Sequence, residues 1–310
     1  MQILDQEGKV VEEWVSKKEA HVVYALAPGE YILHEEQAPT EQGYVRAEDV
    51  KFVVEETGDV QKVKMEDDHT KVSISKTDIT DGKEIEGAKL QILDHDGEVV
   101  ESWTTGEEHL IEYLPVGTYT LHEEAAVDGY IVANDVEFTV EETGEIQKVK
   151  MEDERAMGQL VIVKTDTDSK AALEGVEFVL LEKETGKEVG RLKTGKDGKA
   201  VSELLPIGTY ENGVFKEPIT YVLKETATLK GYEKTEEEWE IVFTYQNDKT
   251  PVIEVVKEIQ NKKIPETPGT VKPGPKTGDD TNWFLPLLAL GVSAGMVAGL
   301  LYYRKRHKKA

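Results

Sequence analysis

Before its C-terminal end, the chain sets out its apolar residues in short alternating runs rich in Val, Ile, Tyr and Thr. Turn clusters such as "DHDGE", "LPVGT" and "KDGK" separate these runs. Alternation with period two predicts half-buried strands, because successive side chains point to opposite faces. No long stretch before the C-terminus has the period of an amphipathic helix. The pattern also repeats. "MQILDQEGKVVEEW" (1–14) matches "LQILDHDGEVVESW" (90–103), "GEYILHEEQAPTEQGY" (29–44) matches "GTYTLHEEAAVDGY" (117–130), and "VEETGDVQKVKMEDD" (54–68) matches "VEETGEIQKVKMEDE" (140–154). A third, more divergent copy spans 158–262, with "QLVIVKTD", "GVEFVLLEKETGKEVG", "LLPIGTY", "YVLKETATLKGY" and "VIEVVKEIQNKK". Closely spaced strands in repeats of this length predict an all-β sandwich for each copy, with longer loops in the third.

The second copy opens with "KVSISKTD" (71–78), but the first has no counterpart, since Met1 falls where Leu90 falls. On this reading the sequence begins inside a domain. "MQILDQEGKV" also lacks the charged start and apolar stretch of a signal peptide, again suggesting an incomplete chain.

The same alternation places charges where a core is expected. Tyr119, Leu121, Glu123 and Ala125 share one face, as do Val72, Ile74 and Lys76, and Val149, Met151 and Asp153. In the third copy Leu160, Ile162 and Lys164 align, Glu225 follows Tyr221 and Leu223, and Val255, Ile259 and Asn261 align. Lys257 interrupts that last face and suggests a bulge or a shifted register. Two readings are open: the charges lie on solvated faces or form a simple ion network, or they meet inside as a reactive set. Inside, desolvation would give an unprotonated, nucleophilic lysine and a protonated glutamic acid able to polarise an acceptor carbonyl. Attack would then join the lysine to Asp153 with loss of water, or to Asn261 with loss of ammonia.

"FLPLLALGVSAGMVAGLLYY", Phe284 to Tyr303, is twenty residues without a charge, and "RKRHKK" follows at once. That predicts a transmembrane helix with its basic end in the cytoplasm and the preceding chain outside. "KKIPETPGTVKPGPKTGDDTN" before it is linker-like. The expected domains are 1–68 (incomplete), 69–156 and 157–262, then linker 263–282, helix 283–303 and tail 304–310. Composition narrows the function. With 62 Asp and Glu against 37 Lys and Arg, the net charge of −25 argues against nucleic acid as a partner. The absence of cysteine excludes disulfides and thiolate chemistry. The "HEE" triplets, His34–Glu36 and His122–Glu124, alternate in and out along a strand, a poor geometry for a metal. No metal or cofactor is expected. Trp14, Trp103, Trp239 and Trp283 are scattered and read as packing or interfacial residues.

"KVSISKTD" and "LVIVKTD", then "YTLHEEAAVDGY" and "YVLKETATLKGY", then "VKMEDE" and "VVKEIQNKK", resemble the ordered motifs of Cna B-type (SpaA-like, prealbumin-like) domains of Gram-positive surface proteins and pilins. The middle motif resembles that family's E-box. The resemblance covers 1–262 and implies tandem Ig-like or prealbumin-like sandwiches with self-formed isopeptide bonds. The implied sets are Lys76 with Asp153 assisted by Glu123, and Lys164 with Asn261 assisted by Glu225. The aspartate acceptor departs from the commoner pattern. Glu35 and Asp67 are the first copy's matching pair, without a lysine. "PKTGD" resembles an LPXTG-type sorting signal with Gly274 in place of leucine. This implies recognition of Pro275, Lys276, Thr277 and Gly278 by a sortase, cleavage after Thr277, and linkage to cell-wall peptidoglycan. An ordinary membrane anchor is the alternative. The resulting expectation is a wall-anchored stalk that presents an upstream region, which is where any host or matrix ligand would bind. The rival readings are a pilin subunit, although no upstream YPKN-like lysine motif is present, and the stalk of a surface enzyme. Nothing in the sequence supplies a site for catalytic turnover.

Overall fold

The computed structural model describes residues 1–265, and these are all-β apart from one turn of 3-10 helix at Thr40–Gln42. Among the described residues no helix is long and apolar enough to cross a membrane. The expected helix 283–303, tail 304–310, sorting motif Pro275–Gly278 and all but the first residues of the linker lie outside the described residues.

The second repeat is a two-sheet sandwich. Val136–Val140, Gly117–Ala125, Lys89–Leu93 and Val99–Thr104 form one antiparallel sheet, in that order. In the other, His109–Glu112 and Ile146–Arg155 flank Lys71–Asp78, and Tyr130–Ile131 closes the far edge. The inner faces supply the core: Val72, Ile74, Leu90, Ile92, Leu121, Val140 and Met151 are buried together. The repeat's first and last long strands run parallel, from Lys71 opposite Ile146 to Asp78 opposite Asp153. The third repeat does the same, with Met157–Asp166 parallel to Val252–Asn261 and a facing sheet around Glu177–Glu182 and Thr220–Ala227.

That last pairing corrects the expectation of a bulge at Lys257. The register is continuous from Val252 to Asn261. Lys257 stays on the inner face, half-buried, with Nζ 5.9 Å from the Trp239 ring centroid. Its aliphatic stem can cover apolar surface while the ammonium meets the ring, so the strand needs no irregularity.

The first repeat has one sheet of the pair, ordered Val10–Glu13, Gln2–Leu4, Gly29–His34 and Val50–Val54. Of the other only Tyr44–Val45 with Asp68–His69 remains. Residues 60–67, "VQKVKMED", form no strand, although 146–153, "IQKVKMED", lie within a ten-residue one. The two differ only at the first residue. What differs is the partner: an extended segment needs a neighbour for its backbone N–H and C=O groups, and Lys71–Asp78 supplies one only to the second.

Motif residues set the joints between repeats. Gly43 and Gly129 have φ of +76° and +90°, a region that favours glycine. A Cβ on Gly43 would fall 2.3 Å from the Tyr113 carbonyl carbon, and one on Gly129 2.8 Å from Phe215 of the third repeat. Gly231, with the same sign of φ, faces open space. The third repeat also splits a motif. Tyr31 and Tyr119 each donate a hydroxyl hydrogen bond to the carbonyl four residues earlier, Ala27 and Pro115. The equivalent bond to Pro206 comes from Tyr221, because a hairpin, Gly208–Glu211 with Val214–Pro218, intervenes. The "GTY" tyrosine, Tyr210, is thereby displaced into the joint with the second repeat. There its hydroxyl donates to Gly129 O at 2.8 Å, and Arg155 lies 4.1 Å above its ring.

Candidate functional site

In each complete repeat the parallel pair brings lysine and acceptor together by the same offset. Lys76 lies opposite Met151 and Lys164 opposite Ile259, and the acceptor is two residues further along on the same face. The glutamate projects from the facing sheet.

In the third repeat Lys164, Glu225 and Asn261 are all buried. Lys164 Nζ donates to Glu225 Oε2 at 2.9 Å and to Asn261 Oδ1 at 2.6 Å, while Asn261 Nδ2 donates to Glu225 Oε1 at 2.7 Å and to Thr228 Oγ1 at 2.7 Å. Glu225 therefore touches both nitrogens. Burial pushes the Lys164 ammonium below the ordinary lysine value, against the opposing pull of Glu225. That favours the neutral amine, which is the nucleophilic form.

In the second repeat Lys76, Glu123 and Asp153 are likewise buried. Lys76 Nζ lies 2.9 Å from Glu123 Oε2 and hydrogen-bonds Asp153 Oδ1. The Ala133 N–H donates to Glu123 Oε2 at 2.6 Å. Glu123 Oε1 and Asp153 Oδ2 are buried with no donor. Burial pushes the Asp153 carboxyl up to about 7, with Lys76 opposing the rise and the neighbouring Glu123 adding to it.

In the first repeat Glu35 is buried and Asp67 exposed, on a segment without a strand. Burial raises the Glu35 carboxyl, the Ala47 N–H at 2.8 Å pulls it down, and the negative charge of Asp67 pushes it up again. The histidines of the "HEE" triplets point away from these sites, His34 pairing with Asp49 at 2.6 Å and His122 with Asp135 at 2.7 Å. Trp14 and Trp103 stack on His21 and His109.

A family model for the SpaA prealbumin-like fold domain matches residues 1–69, 70–155 and 158–218. The chain belongs to this family. Among solved structures it is similar to the Bacillus anthracis TIE protein, at 30% identity over 76% of this chain and 42% of that one, with a TM-score of 0.48. The chain thus spans less than half the length of that protein. It is also similar to a streptococcal ancillary pilin (19% identity, 78% of this chain and 77% of that one, TM-score 0.29). The minor pilin GBS52 of Streptococcus agalactiae is a third (20% identity, 68% and 100%, TM-score 0.27). No curated protein matches.

The third SpaA match ends at 218, where the inserted hairpin ends, but the sandwich runs on through Thr220–Ala227 to Asn261. Sequence reasoning missed two groups in these SpaA sites. One is Thr228, whose signal is a hydroxyl three residues after Glu225 where Ala38 and Ala126 stand after Glu35 and Glu123. The other is the backbone N–H of Ala133, which has no side-chain signature.

Proposed function

We propose that this chain is the stalk portion of a sortase-anchored bacterial surface protein or adhesin, with its second and third SpaA domains each closed by a self-formed amide. The observation that supports the reading best is the double contact of Glu225, Oε2 on the attacking nitrogen and Oε1 on the leaving one. Lys164 Nζ adds to Asn261 Cγ, and the Cγ–Nδ2 bond breaks. The proton lost by the amine passes through Glu225 to Nδ2, which departs as ammonia. In the second domain Lys76 Nζ adds to Cγ of the protonated Asp153, the Cγ–O bond breaks, and the hydroxyl leaves as water with the proton that the amine loses. Each site acts once on its own chain and has no turnover. Sortase, peptidoglycan and the membrane before sorting are partners by way of Pro275, Lys276, Thr277 and Gly278, and a host ligand would belong to an upstream region.

Intact-mass measurement tests the bonds. The chain should weigh about 35 Da less than its sequence, about 18 from Asp153 and about 17 from Asn261. E225Q should abolish only the loss of about 17 Da. An unshifted wild-type mass rejects the reading. High-mass ladders from the native surface would assign the chain to a pilus instead.

A further inference from the structure

The two sheets of the third repeat turn different outer faces to solvent. On the sheet of Glu177–Glu182 and Thr220–Ala227 the charges are paired, Lys183 with Glu240, Lys224 with Glu238 and Lys193 with Glu177. On the other sheet, Lys199–Val201 and Val252–Asn261 flank Met157–Asp166, and the outward positions form two short rows. Val201, Val161 and Val256 stand side by side in one row, and Lys199, Val163 and Glu258 in the next. Val201 and Val256 are 55% and 52% exposed. Among the described residues, neither Lys199 nor Glu258 takes part in an ion pair. The second repeat shows the same face in polar form. Ser73 and Lys148 stand there in place of Val161 and Val256, and Ser75 and Lys150 in place of Val163 and Glu258. Of that row only Leu110, opposite Ser73, is apolar. The polar groups find partners within the repeat, Ser73 with Glu108, Ser75 with Glu84 and Lys150 with Glu152. The fold therefore needs neither the row of valines nor the two uncompensated charges, and such a patch marks a contact surface.

We infer that this face joins two copies of the chain, sheet against sheet, about a two-fold axis that runs along Met157–Asp166. The charges select the axis. Turning a second copy over about the strand direction exchanges the flanks, so Lys199 of each copy meets Glu258 of the other. Val201 then faces Val256 of the other copy, while Val161 and Val163 face their own counterparts. An axis across the strands would instead set each charge against a valine, and an unpaired charge is costly to cover. Glu254, on the far side of the valine row, limits the patch to these two rows. The chosen axis leaves Val252–Asn261 running the same way in both copies, so both chains continue from the same end. Copies standing side by side on one surface need that arrangement. The patch is small, so the dissociation constant in solution should be about 0.1 mM. The contact is independent of the amides proposed above.

The chain has no cysteine, so single introduced cysteines report contact between copies. Full-length V201C and V256C are mixed in detergent at about 0.1 mM and treated with a short bismaleimide. The salt is about 0.15 M, which screens the net charge of −25 beyond roughly 8 Å. The mixture should couple about tenfold more than V201C alone or V256C alone, because the axis brings 201 over 256 and holds like positions apart. Adding K199E to both partners should abolish the excess, and so should adding E258K to both. Mixing K199E/V201C with E258K/V256C should restore it, since one copy then offers two glutamates to two lysines of the other. That rescue also shows that the charge variants are folded. Equal coupling in the mixture and in either variant alone overturns the inference. So does an excess that the charge variants leave unchanged, or one that the complementary mixture fails to restore.

Discussion

Glu123 and Glu225 have the same motif position but different neighbours, so the proposed chemistry gives them different tasks. Beside Asn261, Glu225 bridges two nitrogens. Beside Asp153, Glu123 meets another carboxyl, and in the proposed reaction Asp153 must be protonated before its oxygen can leave. Bond formation in the second repeat should therefore depend on pH. Burial pushes Asp153 up to about 7 from an unfolded value of 3.8. Its carboxyl thus favours the folded, unlinked repeat most fully below that unfolded value and loses the contribution as pH rises through about 7. On the proposed chemistry the reactive, protonated form is lost over the same range. When chain kept unfolded since synthesis is refolded across pH 5 to 9, the rate of losing about 18 Da should fall above about pH 7. A rate that climbs steadily with pH would mean that amine deprotonation alone is limiting. Alternation was enough to place Lys76, Glu123 and Asp153 on facing surfaces, because a strand has only two sides. It could not show Thr228, which lies just beyond the glutamate strand, or the aromatic cover over Lys257.

At the scale of elements, the chain contains its own comparison. Residues 61–67 and 147–153 are identical, yet only the latter form a strand. Their propensity is the same, so the ladder with Lys71–Asp78 makes the difference. Hydrogen exchange followed by fragment masses should show 147–153 protected to near the global limit and 61–67 exchanging close to an unfolded segment. Equal protection would refute the partner argument. This is also where the sequence ceases to be legible. Repeats and alternation announced the strands, but whether one forms depends on a neighbour distant in the chain, and nothing local encodes that. The hairpin at Gly208–Pro218 was visible only as extra length.

For the whole molecule, the displaced Tyr210 fixes one domain against the next. It packs edge-on to Tyr130 at 5.2 Å, under Arg155, and bonds the carbonyl of Gly129, while Tyr245 of the third repeat donates to Tyr130 O at 2.9 Å. Y210A removes the ring and hydroxyl from this joint but leaves both sandwich cores intact. It should let the second and third domains reorient independently, seen as separate rotational correlation times in NMR relaxation, with the mass deficit unchanged. The proposed crosslinks would act at the same scale. Linking residues 77 apart in the second domain and 97 apart in the third would remove roughly 4 to 5 kcal/mol of unfolded-state entropy each, by analogy with disulfides.

The parallel arrangement of first and last strands has one more consequence. Because Lys76 and Asp153 lie near the same end of their paired strands, as do Lys164 and Asn261, the amides would turn a linear polymer into one with two closed rings. The direct covalent route between domains would pass from residue 76 to 153, on through Ala156 to 164, and across to 261. Residues 77–152 and 165–260 would hang from that route as pendant loops. A protease that cut anywhere between 77 and 152 would open a ring without freeing a fragment, and what the domain presents would stay tied to the stalk even after its backbone was broken.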